Sequence, residues 1–174
     1  MLQGWDWKAR KLLWTVTQRE ASSFVLFTGE GHLALRSPTR KDAVALLDAK
    51  TGKVVRQVKL PCEWLTAARV VEDDVLLCVG YNTLYRIDCR KGTLLDRCDL
   101  EVTEGSDAIA FSADGAYVAS AGAAGLTLGD TQDGRAYRAL ATPSPLTRCA
   151  FSDDGTRMIA GDDAGRVYVF AVER

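Results

Sequence analysis

An all-β fold, built of four-stranded units that repeat every 40 to 42 residues, is predicted by three observations. The first is residues 43–60, AVALLDAKTGKVVRQVKL, which read as a β-hairpin: an apolar run, turn chemistry from Asp48 to Gly52, then a strand alternating valine with charge. Gly52 stands where such a turn needs a positive φ. The second is that this punctuation recurs as Asp88 to Gly92 (DCRKG), as Asp130 to Gly134 (DTQDG), and at Asp6 (DWKAR) with Arg10 in the glycine's place. The four aspartates lie 42, 40 and 42 residues apart, a period near that of four-stranded β-propeller blades. The third is an alignment of residues 108–131 with 148–171 at an offset of 40, which gives seven identities: Ala110/Ala150, Phe111/Phe151, Ser112/Ser152, Asp114/Asp154, Gly115/Gly155, Ala124/Ala164 and Gly125/Gly165.

The strands follow in order. Residues 2–6, a turn at 8–10 and LLWTVT begin the chain in mid-repeat. Residues 23–28 and 32–36, joined by Gly29-Glu30-Gly31, form a hairpin ahead of residue 43, so one full unit holds strands a, b, c and d. The next unit places them at 66–72, 75–79, 83–88 and 93–100, and the third at 107–112, 117–120, 126–130 and 135–141. The last has 146–152, 157–160 and 166–172, without a strand d. These limits divide a single propeller or half-propeller domain, residues 1–174, into repeats at roughly 18–60, 61–100, 101–141 and 142–174, plus 1–17.

Composition narrows the function. Lys plus Arg number 22 against 23 Asp plus Glu, a net charge of −1 that gives no electrostatic case for nucleic acid or an acidic membrane surface. The N-terminus lacks an apolar signal region, and no apolar run is long enough to span a bilayer. Five cysteines with spacings of 16, 11, 9 and 51 contain no C-x-x-C, so reduced thiols and a cytoplasmic location are expected.

The AFSxDG strand and turn of the last two units, the Asp/Gly b-to-c turns and the apolar c strands resemble the WD-repeat β-propeller family. Trp5-Asp6 matches that family's dipeptide, and the offset places Leu47-Asp48, Ile87-Asp88, Gly129-Asp130 and Val169-Phe170 at equivalent positions. The family's Gly-His before strand a is absent; Gly31-His32 falls at strand b instead. DAKTGKVVR is also similar to the quinoprotein-type blade, whose terminal Trp docks between neighbouring blades. Eight residues after each Asp this chain has Trp14, Arg56, Asp96 and Arg138, so only the first unit keeps the ring.

The resemblance implies how the ring closes. WD propellers take strand d of the last blade from the N-terminus, so residues 11–17 are expected to complete the fourth blade. The four blades then close alone, or two chains form an eight-bladed homodimer. Residues 2–6 are a spare c-like strand with no place in that scheme.

Catalytic chemistry finds little support. His32 is the single histidine, and a relay or a multi-histidine metal site would rest on it alone. The pairs Asp73-Asp74, Asp153-Asp154 and Asp162-Asp163 sit where turns use Asp for side-chain to backbone bonds. No cysteine or histidine spacing fits zinc, and no motif fits a quinone cofactor, so no catalytic residue, cofactor or metal is expected. Strand order puts the b-to-c loops and d-to-a linkers on one end of the ring. That end carries Arg40, Lys41, Trp64, Tyr81 and Asn82, the residue types of interface anchors, as the expected partner-binding set. Trp64 is either such an anchor or a wedge between blades. The resemblance implies a non-catalytic protein-interaction scaffold. A channel-type enzyme or small-ligand binder is the alternative, and so is a dedicated inhibitor or immunity partner of one enzyme.

Overall fold

A computed structural model describes residues 1–17, 22–101 and 106–172. The alternating patterns become antiparallel strands in five separate sheets. β1 (Leu2–Asp6) and β2 (Lys11–Val16) pair as a two-stranded hairpin. β3 (Val25–Phe27), β4 (His32–Arg36), β5 (Ala43–Asp48) and β6 (Val54–Lys59) make the first four-stranded blade, in sequence order. The second is β7 (Ala67–Val71), β8 (Val75–Gly80), β9 (Thr83–Asp88) and β10 (Thr93–Asp99). The third is β11 (Ser106–Phe111), β12 (Tyr117–Gly122), β13 (Gly125–Asp130) and β14 (Ala136–Leu140). β15 (Leu146–Phe151), β16 (Arg157–Asp162) and β17 (Val167–Ala171) form the three-stranded last blade.

The expected closure is not formed. β2 pairs with β1, and among the described residues β17 pairs only with β16, so the N-terminal strand does not complete the last blade. Residues 2–6, expected as a spare strand, are what takes β2 instead. The physical reason is local: a short turn holds β2 beside β1, and the hairpin is packed on the first blade, at the other end of the stacked array from β17. The hairpin is the outer half of a blade in its own right. Leu2, Trp14 and Val16 pack on Leu33, Leu35, Ala45 and Leu47 of the first blade.

Four apolar layers, one between each pair of neighbouring sheets, hold the array together. After that first layer, Val44, Leu46, Val58 and Leu60 meet Leu76, Cys78, Tyr85 and Ile87 between the first and second blades. Leu77, Val79, Leu84 and Leu100 meet Phe111 and Val118 between the second and third. Ala119, Ala121 and Leu126 meet Leu146, Met158 and Ala160 between the third and fourth. Fully burying one such aliphatic side chain stabilises by about 1.5–3 kcal/mol, so each layer outweighs the turns beside it.

The repeat is finer than its period. In every c-to-d pair the register shifts once, leaving Leu13, Val55, Leu95 and Tyr137 without a partner on strand c. Each stands seven residues after its aspartate, as a β-bulge that bends the outer strand. Strand d then reaches the next blade's turn, one residue past the bulge in the hairpin and the first blade and at the end of the strand in the second. Trp14 lies on Gly52 and Arg56 on Gly92, and the Asp99 carbonyl lies where a side chain on Gly134 would stand. The turn residue itself is left-handed in all four units: φ is 68° at Gly52, 69° at Gly92 and 77° at Gly134, and 52° at Arg10.

One equivalence needs correcting. Tyr117 pairs with Asp130, and its counterpart Arg157 pairs with Ala171 rather than Phe170. The b-to-c turn of the last blade holds one more residue than that of the third, which displaces the dipeptide position to Phe170-Ala171.

Candidate functional site

The loop end gathers residues 37–42, the linker 60–66 and the turn at Tyr81-Asn82. At its centre the chain runs Glu63-Trp64-Leu65 across Gly80, so closely that a side chain on Gly80 would come within 2.6 Å of the Trp64 carbonyl oxygen. Leu65 is buried below, and its carbonyl accepts a hydrogen bond from the Ser23 hydroxyl at 2.6 Å. Thus the linker backbone is fixed from the first and second blades at once. The Trp64 ring nevertheless remains 55% exposed, which makes it an outward-facing aromatic and not an interblade wedge.

Beneath it lies Arg36, the last residue of β4, only 7% exposed. Its guanidinium carbon is 5.1 Å from the Trp64 ring centroid, a cation–π distance, and Nη2 donates to the Glu63 carbonyl at 2.7 Å. Tyr81 follows Gly80 with φ of 54° and is 64% exposed. Asn82 is exposed too, while its carbonyl accepts from the Leu100 amide at 2.6 Å and pins the turn.

Trp64, Tyr81 and Asn82 are therefore brought together on the second blade. Arg40 and Lys41 sit on the neighbouring loop of the first. There Arg40 is engaged: Nε and Nη2 both donate to the Asp42 carboxylate at 3.0 Å, and Lys59 Nζ approaches it at 3.8 Å. The Arg40 hydrogen bonds hold the Asp42 carboxyl below its ordinary value. The cation that meets the aromatic anchor is Arg36, which the sequence reading passed over. Its signal was an arginine closing an otherwise apolar strand, since a buried guanidinium requires acceptors.

The opposite end is turn chemistry. Asp154 accepts from the Ser152 hydroxyl at 2.6 Å and the Thr156 amide at 3.0 Å. At the loop end, in the b-to-c turn of the last blade, buried Asp162 accepts from the amides of Ala164 and Arg166, from Arg166 Nε at 2.9 Å and from the Tyr168 hydroxyl at 3.0 Å. Asp74 bridges blades, accepting the Gly29 amide at 2.6 Å. His32 Nδ1 lies 3.7 Å from the Glu30 carboxylate, at the turn end of β4. Among the described residues no three His, Cys, Asp or Glu side chains come together as a metal site would require. The described residues also include no helix long and apolar enough to cross a membrane.

Solved structures place this arrangement among β-propellers. The chain is similar to the β-propeller domain of Cps50 (Swd1) from Myceliophteria thermophila, with a TM-score of 0.72 at 19% identity, over 94% of this chain and 60% of that one. It thus spans about 60% of the length of that neighbour. It is also similar to the computationally designed Ika4 protein, with a TM-score of 0.67 at 20% identity, over 90% of this chain and 94% of that one. No protein-family model and no curated protein matches the sequence.

Proposed function

We propose that the chain is a WD-repeat-type, non-catalytic propeller module of the cytoplasm that binds a protein partner at its loop end. Trp64, Tyr81 and Asn82 form the contact centre, with Arg40 and Lys41 on its margin. The observation that carries this reading is Trp64: a 55% exposed indole on a backbone held by two blades and backed by a buried guanidinium. A pre-positioned aromatic loses little freedom on binding, which is why interface anchors are so often Trp, Tyr or Arg.

The test is capture of the partner from the native host's extract on immobilised chain, followed by titration of that partner against Trp64→Ala. The expected result is a stoichiometric protein whose affinity falls by roughly 2 kcal/mol, with the melting temperature within a few degrees of the parent. Undiminished affinity in Trp64→Ala, Tyr81→Ala, Arg40→Ala and Lys41→Ala alike would move the partner face to the other end.

A second reading, association of two copies end to end into an eight-bladed ring in which each hairpin joins the three-stranded last blade of the other copy, is favoured by the apolar residues on the two outermost sheets. Trp5 and Leu13 are 57% and 51% exposed on the hairpin, and Ile159, Val167 and Val169 are 48%, 71% and 64% exposed on the last blade. Exposed apolar side chains grouped on the end sheets in this way support an interaction face there.

A further inference from the structure

The inner strands β7, β11 and β15 enclose a groove of about 240 Å³, lined by Ala67, Ala68, Arg69, Ile109, Ala110, Phe111, Ala150 and Phe151. It holds far more than one water, whose share of liquid volume is about 30 Å³. Strand register makes Arg69 the counterpart of Leu26, Ala110 and Ala150 in the other blades. An arginine thus stands where the other three units have apolar side chains, and two of those are alanines that leave the space open. Arg69 is partly buried, and its Nε is cut off from solvent with no hydrogen-bond partner among the described residues. It is the one charged residue of the lining.

A guanidinium held among apolar walls with one N–H already unpaired is unfavourable, and an oxyanion on its terminal N–H groups offsets that cost. We propose that this groove binds a small organic monocarboxylate, with the carboxylate on Arg69 and the apolar body against Phe111, Ile109 and the alanines. A planar carboxylate meets the two terminal Nη groups end-on in two parallel bonds, since Nε is closed even to water. One positive charge also matches one negative charge. A phosphate dianion would leave excess charge among apolar walls. The site is independent of the loop-end contact, because it stands on the inner strands and uses none of its residues.

The experiment is titration of the full chain with benzoate, followed by calorimetry or by amide shifts of Ala110 and Ala150. Benzamide and inorganic phosphate serve as controls. Saturable benzoate binding in the millimolar range or tighter is expected, at least tenfold stronger than benzamide. Arg69→Met should abolish it, and Arg69→Lys, which keeps the charge without the fork, should weaken it several-fold. Because the benzoate and benzamide comparison needs no variant, it decides the matter even where Arg69→Met fails to fold. Equal affinity for benzamide, or a preference for phosphate, would overturn the assignment. So would benzoate shifts that survive in Arg69→Met.

Discussion

The indole of Trp14 lies against Gly52, where an added Cβ would stand 2.6 Å from the ring, and its Nε1 donates to the Ala49 carbonyl at 2.9 Å. One side chain of the N-terminal hairpin thereby caps the c-to-d turn of the first blade. Gly52 is constrained twice, by the ring above it and by a φ of 68°. Trp14→Ala should lower unfolding free energy by about 3 kcal/mol, as truncation of a packed aromatic does. Gly52→Ala should be destabilising by at least about 1 kcal/mol from backbone strain alone. Urea unfolding of both variants is the check. A Trp14→Ala midpoint equal to the parent's would mean that the hairpin is not docked.

Arg10 occupies the same turn position as Gly52 but with a side chain, at φ of 52°. An L-residue there carries a penalty of about 1–2 kcal/mol that glycine escapes, partly offset by glycine's freer unfolded state. Arg10→Gly should therefore stabilise the fold by roughly 0.5–1 kcal/mol. An unchanged or lower melting temperature would show that the Arg10 side chain contributes contacts that outweigh its strain.

All five cysteines are free thiols, and Cys62, Cys78 and Cys89 are buried. Burial pushes the thiols up, Cys89 to about 12 and Cys149 to about 11, with Cys78 moved the same way. Since the thiolate is the reactive form, native protein at pH 8 should react slowly with a disulfide reagent. Under denaturing, non-reducing conditions the titration should reach five. A total of three would reveal a bridge and remove the support for a cytoplasmic location.

Acid should weaken the turns. Hydrogen bonds from Ser152 and Thr156 depress the Asp154 carboxyl to about 2, from an ordinary value of 3.8. Asp48 is lowered by Thr51, and Asp88 by Lys91. A folded value below the unfolded one means that the stabilisation is complete above 3.8 and lost as pH falls toward 2. Melting temperature should drop across that window, and Asp154→Asn should flatten part of the drop. An equally steep profile in the variant would place the acid sensitivity elsewhere.

Strands and turns were legible because both signals are local: valine alternates with charge inside a strand, and Asp with Gly marks each turn. The β-propeller class followed from their period. What could not be read were choices between distant partners. The pattern of residues 11–16 fits any open strand edge, and it is the neighbouring β1 and the packing of Trp14 and Val16 on the first blade that take it. The offset of 40 is right through Gly165, then misplaces the last dipeptide by one residue, because a single insertion in a turn leaves no mark on an alternating strand. Trp64 was visible as a candidate, but its two readings differ only in exposure. The Arg36 beneath it is 28 positions away in the chain and on another blade, with no periodicity to connect them.

The end faces give the last prediction. Val167 and Val169 are 71% and 64% exposed on β17, whose outer edge has no partner among the described residues, and Trp5 and Leu13 are exposed at the opposite end. Two such surfaces on one chain are complementary in kind but not identical, so the contact is head to tail and closes only when the rotation completes a ring. Two copies should give a particle of twice 18.9 kDa by light scattering at micromolar concentration. Val169→Glu should return the monomer without a large loss of stability, because the side chain projects from the folded chain and its replacement buries no charge there. A parent chain that scatters as a single 18.9 kDa species would remove the eight-bladed ring. Species growing with concentration beyond the dimer would mean that the rotation does not close and the copies run on into a filament.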